Sequence, residues 1–437
     1  MELLPKYIEL YDMIIIGAGP SGLFASINLD SKKNNILILE KNEAPAKKLL
    51  LSGAGKCNIT HAGTIEEFTK KYGLNGNFLK PAFHNFFNSD LISFFKKRGL
   101  NIIADSEGNY FPATYKSQDV LNILINEIKK KYISIKYNSK VVKIECCYPD
   151  TDKTNILPDN FSYSNSYFKI TVNSNESYFS KHLVISTGGT SFPETGSSGD
   201  GYNFALSFGH TIVPPKPALS QLIIFNNPIN SIPGTSFNDS EISLFRNNKK
   251  CITLSGELLV THKGLSGPVI LNMSRYVNPG DFLKICFIKK NQKSMNLKNY
   301  ISQLFHDNSR ESVKKFLKQF DLTSRFTELI LNVSKIPENS ICGNIDKFKK
   351  NELINNLTEY AVNISCYSEI KNAMVTAGGV SLNEINNKTM ESKIIRNLYF
   401  TGEIIDIDGD CGGYNLQAAF STAFLAARTY TNSLLKS

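Results

Sequence analysis

Residues 11–41 read YDMIIIGAGPSGLFASINLDSKKNNILILEK, and the fold follows from this stretch. The run 13–16 is continuously apolar, as expected of a parallel strand buried on both faces. It enters Gly17-Ala18-Gly19-Pro20-Ser21-Gly22, a G-x-G-x-x-G turn. Leu23, Phe24, Ala25, Ile27 and Leu29 then supply the inner face of a helix, and a second apolar strand, 36–39, ends on Glu40. This is the β-α-β order that a dinucleotide site requires. Gly17 permits the tight turn, Gly19 lets backbone approach a pyrophosphate, and Gly22 lets helix pack on strand. The helix start offers unpaired N–H groups and partial positive charge to the phosphates. Glu40 is spaced to accept hydrogen bonds from the ribose hydroxyls. An acid there disfavours a 2′-phosphate, so FAD or NAD is expected over NADP.

Outward from this unit, other stretches carry the same texture. Residues 45–61, PAKKLLLSGAGKCNITH, form a Gly-rich loop with Lys47, Lys48 and Lys56 nearby, suited to phosphate or an electron-rich ring. The apolar strand 183–185 runs into Ser186-Thr187-Gly188-Gly189 at a sheet edge, where open α/β sheets bind ligands. A segment with Asp200 as an early helix acid follows, with its helix over 202–208 and Gly209 as the stop. Near the other end, strand 398–400 leads to Thr401-Gly402-Glu403, then to Gly412-Gly413-Tyr414-Asn415-Leu416-Gln417 and a small-residue helix over 418–430. Paired glycines at a helix start make a second place where N–H groups meet negative charge.

Between these lie an aromatic-rich helical stretch over 68–99 and an amphipathic helix over 117–130, capped by Ser117. Tyr110-Phe111-Pro112 reads as a turn between them. Strands are expected over 133–145 and 167–172, with a polar loop or hairpin extension at 149–166. Prolines 214, 215, 217, 228 and 233 then punctuate short alternating strands, an all-β module, followed by helical spacing over 297–357.

The chain of 437 residues, 41% hydrophobic and 20% charged, has the composition of a globular protein of two or three domains. No apolar run approaches a membrane span, and the first residues do not read as a secretory signal. The eight cysteines form no C-x-x-C pair and no metal-ligand spacing, so reduced thiols in the cytoplasm are expected and no metal. The net charge is +10, but its lysine runs are scattered along the sequence. A nucleic-acid face needs clustering with interleaved aromatics, so no nucleic-acid partner is expected.

Taken together, residues 47–60, 187–202, 375–380, 389–393, 398–403 and 412–418 resemble a bacterial family of FAD-dependent oxidoreductases that includes aminoacetone oxidases and a bile-acid enoyl reductase. The resemblance implies an α/β fold: a Rossmann-like FAD-binding domain from both chain ends (1–205 and 376–437). A β-barrel-like domain carrying a helical subdomain is inserted at 206–375, β-rich over 206–290 and helical over about 291–358. It implies that Gly17, Gly19, Gly22, Glu40, Lys41 and Lys48 hold the ADP half of non-covalently bound FAD, with Ser21 a further cofactor contact. Ser52, Gly53, Gly55, Lys56, Cys57 and Asn58 lie near the flavin. Val142, Thr187, Gly188, Gly402, Glu403, Gly413, Tyr414, Asn415 and Leu416 complete the contacts. Lys56 stands where the family more often has Arg; lysine keeps the charge but loses the planar bidentate fork.

The expected function is hydride transfer between a small organic substrate, amine or enone-like, and flavin N5. With no second G-x-G-x-x-G, either NAD(P)H visits the flavin transiently or dioxygen re-oxidises it. Alternatives are a tRNA-modifying flavoenzyme, on the strength of the charge, and a redox sensor without turnover. Cys57 and Tyr414 are the candidate catalytic residues by position; His61 reads as a solvated loop histidine.

Overall fold

The computed structural model describes residues 9–148, 166–288, 296–367 and 369–434. The expected loop at 149–166 therefore lies almost wholly outside the described residues. The chain divides into two compact units, Met1–Lys216 with Val375–Ser437, and Pro217–Met374.

The first unit is built on β1 (Leu10–Ile16), α1 (Pro20–Ile27), β2 (Ile36–Leu39), α2 (Ser117–Lys130), β3 (Ser134–Lys136), β4 (Val141–Cys147), β5 (Tyr167–Val172), β6 (Ser177–Ile185), α3 (Asp200–Ser207) and β7 (Ile212–Ala218). Its main sheet has seven strands in the order β3-β2-β1-β6-β5-β4, with a C-terminal strand also joined to β6. β1 pairs parallel with both β2 and β6, and Ile14, Ile15 and Ile38 are fully buried between them. That burial on both faces is why these strands read as continuous apolar runs. α1 starts with Pro20, whose missing N–H costs nothing at a first helical position, and buries Leu23 and Phe24 completely.

The second unit is a seven-stranded antiparallel sheet carrying helices. Its strands are β8 (Leu222–Ile223), β9 (Ser236–Arg246), β10 (Lys249–Thr261), β11 (Gly264–Ser266), β12 (Phe282–Cys286), β13 (Tyr360–Asn363) and β14 (Cys366–Tyr367), in the order β13-β12-β9-β10-β11-β8-β14. Helices Leu297–Asp307, Val313–Lys318, Ser324–Val333 and Lys347–Thr358 share its core, in which Ile242, Leu283, Ile301, Phe326 and Leu353 are wholly buried.

The chain then returns to the first unit as β15 (Val375–Val380), β16 (Leu398–Phe400) and α4 (Tyr414–Leu434). β16 pairs parallel with β6 through Leu398↔Leu183 and Phe400↔Ile185, so the last tenth of the sequence completes the N-terminal sheet. This is the Rossmann-like domain made from both chain ends, with a curled β-rich insertion. Among the described residues, no helix is long and apolar enough to cross a membrane.

Several local expectations need correction. The stretch 68–99 is not one helix but Ile65–Thr69, a 3-10 segment Lys70–Leu79, Lys80–Asn85 and Asn88–Lys96, broken where Gly73 turns left-handed (φ +57°) and again at Phe86, whose backbone is extended. Ser117 does not cap α2: it is the first helical residue, and its hydroxyl donates to the Leu50 carbonyl at 2.9 Å. Tyr110-Phe111-Pro112 is a strand, Asn109–Pro112, in a small sheet with Thr60–His61 and Ile102–Ala104. α4 starts at Tyr414, directly after the glycine pair, rather than at Ala418.

Candidate functional site

At the turn 17–22 the glycines have different reasons to be there. Gly17 sits at φ +100°, and a Cβ on it would lie 2.7 Å from the Ser186 carbonyl oxygen. A Cβ on Gly22 would lie 2.0 Å from the Gly17 oxygen, so that glycine is needed for packing. Gly19 has ordinary extended backbone (φ −73°), and a Cβ there would meet nothing within 4 Å. The protein itself places no demand for glycine at 19. The space in front of the α1 N-terminus is open, and a side chain at 19 would project into it. This cradle, which a side chain would fill, fits the pyrophosphate of a dinucleotide.

Glu40 is buried at the end of β2. Its carboxylate accepts the Ala18 N–H at 2.8 Å and the Asn42 N–H at 2.9 Å, fixing the turn it faces. Ser139 N–H donates to the Glu40 carbonyl at 2.9 Å, three residues before Val142. Val142 itself is exposed on β4 and falls at a register shift between Val141↔Val172 and Lys143↔Thr171. Lys41 donates to Ser198 at 2.5 Å and pairs with Asp200 at 2.7 Å. Burial works to raise the Asp200 carboxyl, but the hydrogen bond and charge of Lys41 outweigh it and hold it below the usual carboxylate range.

The second chain end meets this turn directly. Ser21 Oγ donates to Thr401 Oγ1 at 2.8 Å, and a Cβ on Gly402 would come 2.9 Å from that of Ser21. Glu403 pairs with Lys48 at 2.6 Å and accepts from Ser191 Oγ at 3.2 Å and from the Thr376 N–H at 2.8 Å. Gly188 (φ +75°) lies beside this group, its Cβ position 4.0 Å from Glu403 Oε2. Thr187 Oγ1 is buried, has no hydrogen-bond partner among the described residues, and lies against Gly201, where a Cβ would come 2.1 Å from it.

The loop 52–58 has an unusual backbone. Gly53, Ala54, Gly55 and Cys57 all lie at positive φ (+56°, +54°, +86° and +58°). Two of these carry side chains, and such strain persists only where the surroundings over-determine it. Ser52 Oγ donates back to the Leu49 carbonyl at 2.6 Å, while exposed Lys56 reaches over the Tyr115 ring, 5.6 Å from its centroid. Asn58 donates to Asn109 Oδ1 at 2.9 Å and lies against the start of α4: a Cβ on Gly413 (φ +83°) would be 2.7 Å from Asn58 Oδ1. Asn415 holds Gly409 by two bonds, accepting its N–H at 2.8 Å and donating to its carbonyl at 2.9 Å. Leu416 packs on the core. Thr60 Oγ1 donates to Gln417 Oε1 at 2.6 Å, tying the same loop to the same helix turn.

The two catalytic candidates fare differently from their sequence reading. Cys57 is fully buried, and burial pushes its thiol up to about 12, so it is not a thiolate nucleophile at neutral pH. Tyr414 is also buried, its hydroxyl raised to about 12 by burial. Its ring stacks on His61 at 5.1 Å and meets Phe68 edge-on at 4.8 Å. His61 is therefore a packing partner of that ring rather than a merely solvated loop residue. Asp200, Ser191, Thr376 and Asn109 are polar members of the site that the sequence did not single out as binding residues. Asp200 alone had a visible signal, its place at the first turn of α3.

The fold and these features define a class: an FAD-dependent oxidoreductase with a Rossmann-like cofactor domain. The model of the HI0933-like protein Rossmann domain matches residues 11–429, and the chain belongs to that family. It is 29% identical over 431 residues to a ribosomal RNA dihydrouridine synthase of Escherichia coli, covering 96% of this chain and 98% of that protein. It is 27% identical to the 3-dehydro-bile acid delta(4,6)-reductase of Clostridium scindens, covering 95% and 97%. Among solved structures, 3-ketosteroid delta1-dehydrogenase from Sterolibacterium denitrificans shares the fold with a TM-score of 0.51 at 11% identity, covering 97% of this chain and 100% of that one. The cofactor is FAD, and the protein is an enzyme.

Proposed function

We propose that this enzyme reduces a carbon–carbon double bond conjugated to a carbonyl, and that a uridine within RNA is the substrate of this type. One observation carries the reading: relatives of nearly full-length overlap, named for unlike substrates, imply one chemistry. Dihydrouridine is uridine with its C5–C6 bond saturated, and that bond is conjugated to the C4 carbonyl. A delta(4,6)-reductase of a 3-dehydro steroid likewise saturates bonds conjugated to a ketone. The choice of RNA is supported by the ribosomal RNA synthase name and by charge. Residues 217–374 carry 20 lysines and arginines against 13 carboxylates, a net +7 of the chain's +10.

Reduced FAD, when bound, would supply the hydride from N5, and a proton from solvent would complete the second C–H bond. The chain's own residues bind and orient the cofactor. In this reading the α1 N-terminus and Gly19 receive the pyrophosphate, and Glu40 and the backbone near Val142 face the adenosine. Thr187, Gly188 and the Lys48–Glu403 pair face the ribityl chain, and the left-handed loop 52–58 and the α4 start face the ring. NAD(P)H is the reductant, visiting without a domain of its own.

The test is anaerobic. Protein reduced by NADPH or NADH is mixed with a uridine-containing RNA and with a small cyclic enone, following flavin re-oxidation and the gain of two hydrogens by mass spectrometry. Flavin that stays reduced in the presence of both acceptors and is re-oxidised only when air is admitted overturns the reading.

A further inference from the structure

Strand register in the second unit brings Lys250 and Lys284, far apart in the sequence, onto one face of the sheet. Across β10, β9, β12 and β13 the antiparallel pairing sets Lys250, Phe245, Phe282 and Asn363 in one row. The next row on this face is Thr253, Ser243, Lys284 and Ala361, two residues along on β9, β12 and β13 and three on β10, where a register shift adds one residue. The alternate residues Ile242, Leu244, Leu283, Ile285 and Val362 are all wholly buried in the unit's core. Because successive side chains leave a strand on opposite sides, the two rows occupy the other face. Lys250, Ala361 and Asn363 are exposed and the two phenylalanines half-buried. The Phe245 and Phe282 rings stack at 5.1 Å with planes 10° apart, and Lys284 Nζ stands 5.3 Å from the Phe245 centroid. Lys249, also exposed, adds charge at the β9–β10 turn.

We propose that this sheet face docks a single-stranded segment of RNA, with bases stacking on the Phe245–Phe282 pair and phosphates meeting Lys250 and Lys284. It rests on the RNA reading above and assigns the surface that would serve it. Each ring of a stacked pair has one face turned away from its partner, and every base has a π-face to lay against it, so such platforms tolerate sequence. A duplex offers phosphates but no splayed bases, so a single strand is the partner that uses both features. The carboxylates of this face do not cancel the arrangement. Glu241 lies four residues along β9 from Phe245, roughly 13 Å by strand rise. Glu359 pairs with Lys284 at 3.0 Å and also with Lys298 at 2.8 Å, so this group of two lysines and one carboxylate keeps a single positive charge.

The test uses the full FAD-loaded chain and fluorescence anisotropy with a labelled twelve-nucleotide single-stranded RNA, titrated with salt. The wild type binds and weakens as salt rises. Phe245→Ala with Phe282→Ala weakens binding at least tenfold at unchanged salt slope. Lys250→Glu, a surface change that keeps the thermal midpoint, weakens binding and flattens the slope by about one phosphate contact or more. All variants reduce the small enone at the wild-type rate, which separates this surface from the redox site. The proposal is overturned by wild type that does not bind the strand at low salt, or by variants that bind as wild type does. It is equally overturned by polyglutamate or duplex RNA competing as well as the single strand. If wild type reduces no enone, the proposed reaction fails while the binding arms still decide this surface.

Discussion

At the scale of single residues, Gly19 and Gly22 look alike in the sequence motif yet answer to different neighbours. Gly19→Val is expected to fold normally, because its Cβ points into open space, and to lose FAD affinity by at least tenfold, about 1.4 kcal/mol. Gly22→Ala drives a methyl into the Gly17 carbonyl and should cost roughly 1–3 kcal/mol of stability with or without cofactor. Thermal melts of apo and FAD-loaded protein separate the two; a Gly19→Val variant that keeps full FAD occupancy removes the pyrophosphate from this turn. Cys57 offers a pH test. Its thiol is raised from an ordinary 9 to about 12, so between those values the folded protein keeps a proton that the unfolded chain releases. Stability from this group is complete below about pH 9 and is lost as pH rises toward 12, by at most about 1.4 kcal/mol per unit. Denaturant midpoints at pH 8 and 10.5 should fall less in Cys57→Ala than in wild type. An identical fall in both shows that the thiol is not held protonated.

At the scale of elements, what was legible depended on whether the information was local. β1, the turn, α1, β2 and β16 could be read because burial on both faces and glycine positions are written in consecutive residues. The partners of the site could not be read this way: Lys41 finds Asp200 and Lys48 finds Glu403, 159 and 355 positions away. The Phe245–Phe282 platform was hidden for the same reason, since it exists only once register is fixed. The start of α4 shows how an element's end is held. Gly413 is wedged against Asn58 and Thr60, so a side chain there disturbs the loop as well as the helix. Asn415 is the cleaner probe. Asn415→Ala leaves the buried Gly409 N–H and C=O without their partner, each loss costing about 1–3 kcal/mol. The variant should unfold earlier and hold FAD more weakly, with Asn415→Asp intermediate because it still accepts the N–H. Calorimetry and FAD titration check it; unchanged FAD affinity means the 406–410 loop does not face the cofactor.

At the scale of the molecule, two separate cores account for the organisation. One contains Ile14, Leu183, Phe400 and Phe420 from both chain ends, and the other contains Ile242, Leu283 and Leu353 from one continuous segment. The chain enters and leaves that segment through the paired strands β7 and β15. Ser381 N–H donates to the Thr211 carbonyl at 2.9 Å and Met374 N–H to the Leu219 carbonyl at 3.4 Å, so the pair runs antiparallel and brings residues 216 and 375 close together. A two-residue turn suffices to join antiparallel neighbours. Replacing residues 217–374 by Asn-Gly should therefore give a folded protein, because no strand of the N-terminal sheet and neither α1 nor α4 is removed. The expected outcome is a yellow, cooperatively melting protein that retains FAD, while the RNA affinity assigned to the excised sheet is gone. Removing residues 375–434 instead deletes β16 and α4 and should leave a chain that does not fold. FAD stoichiometry and melting of the two deletions decide the matter. An excised protein that folds but holds no FAD would place part of the cofactor site on residues 217–374.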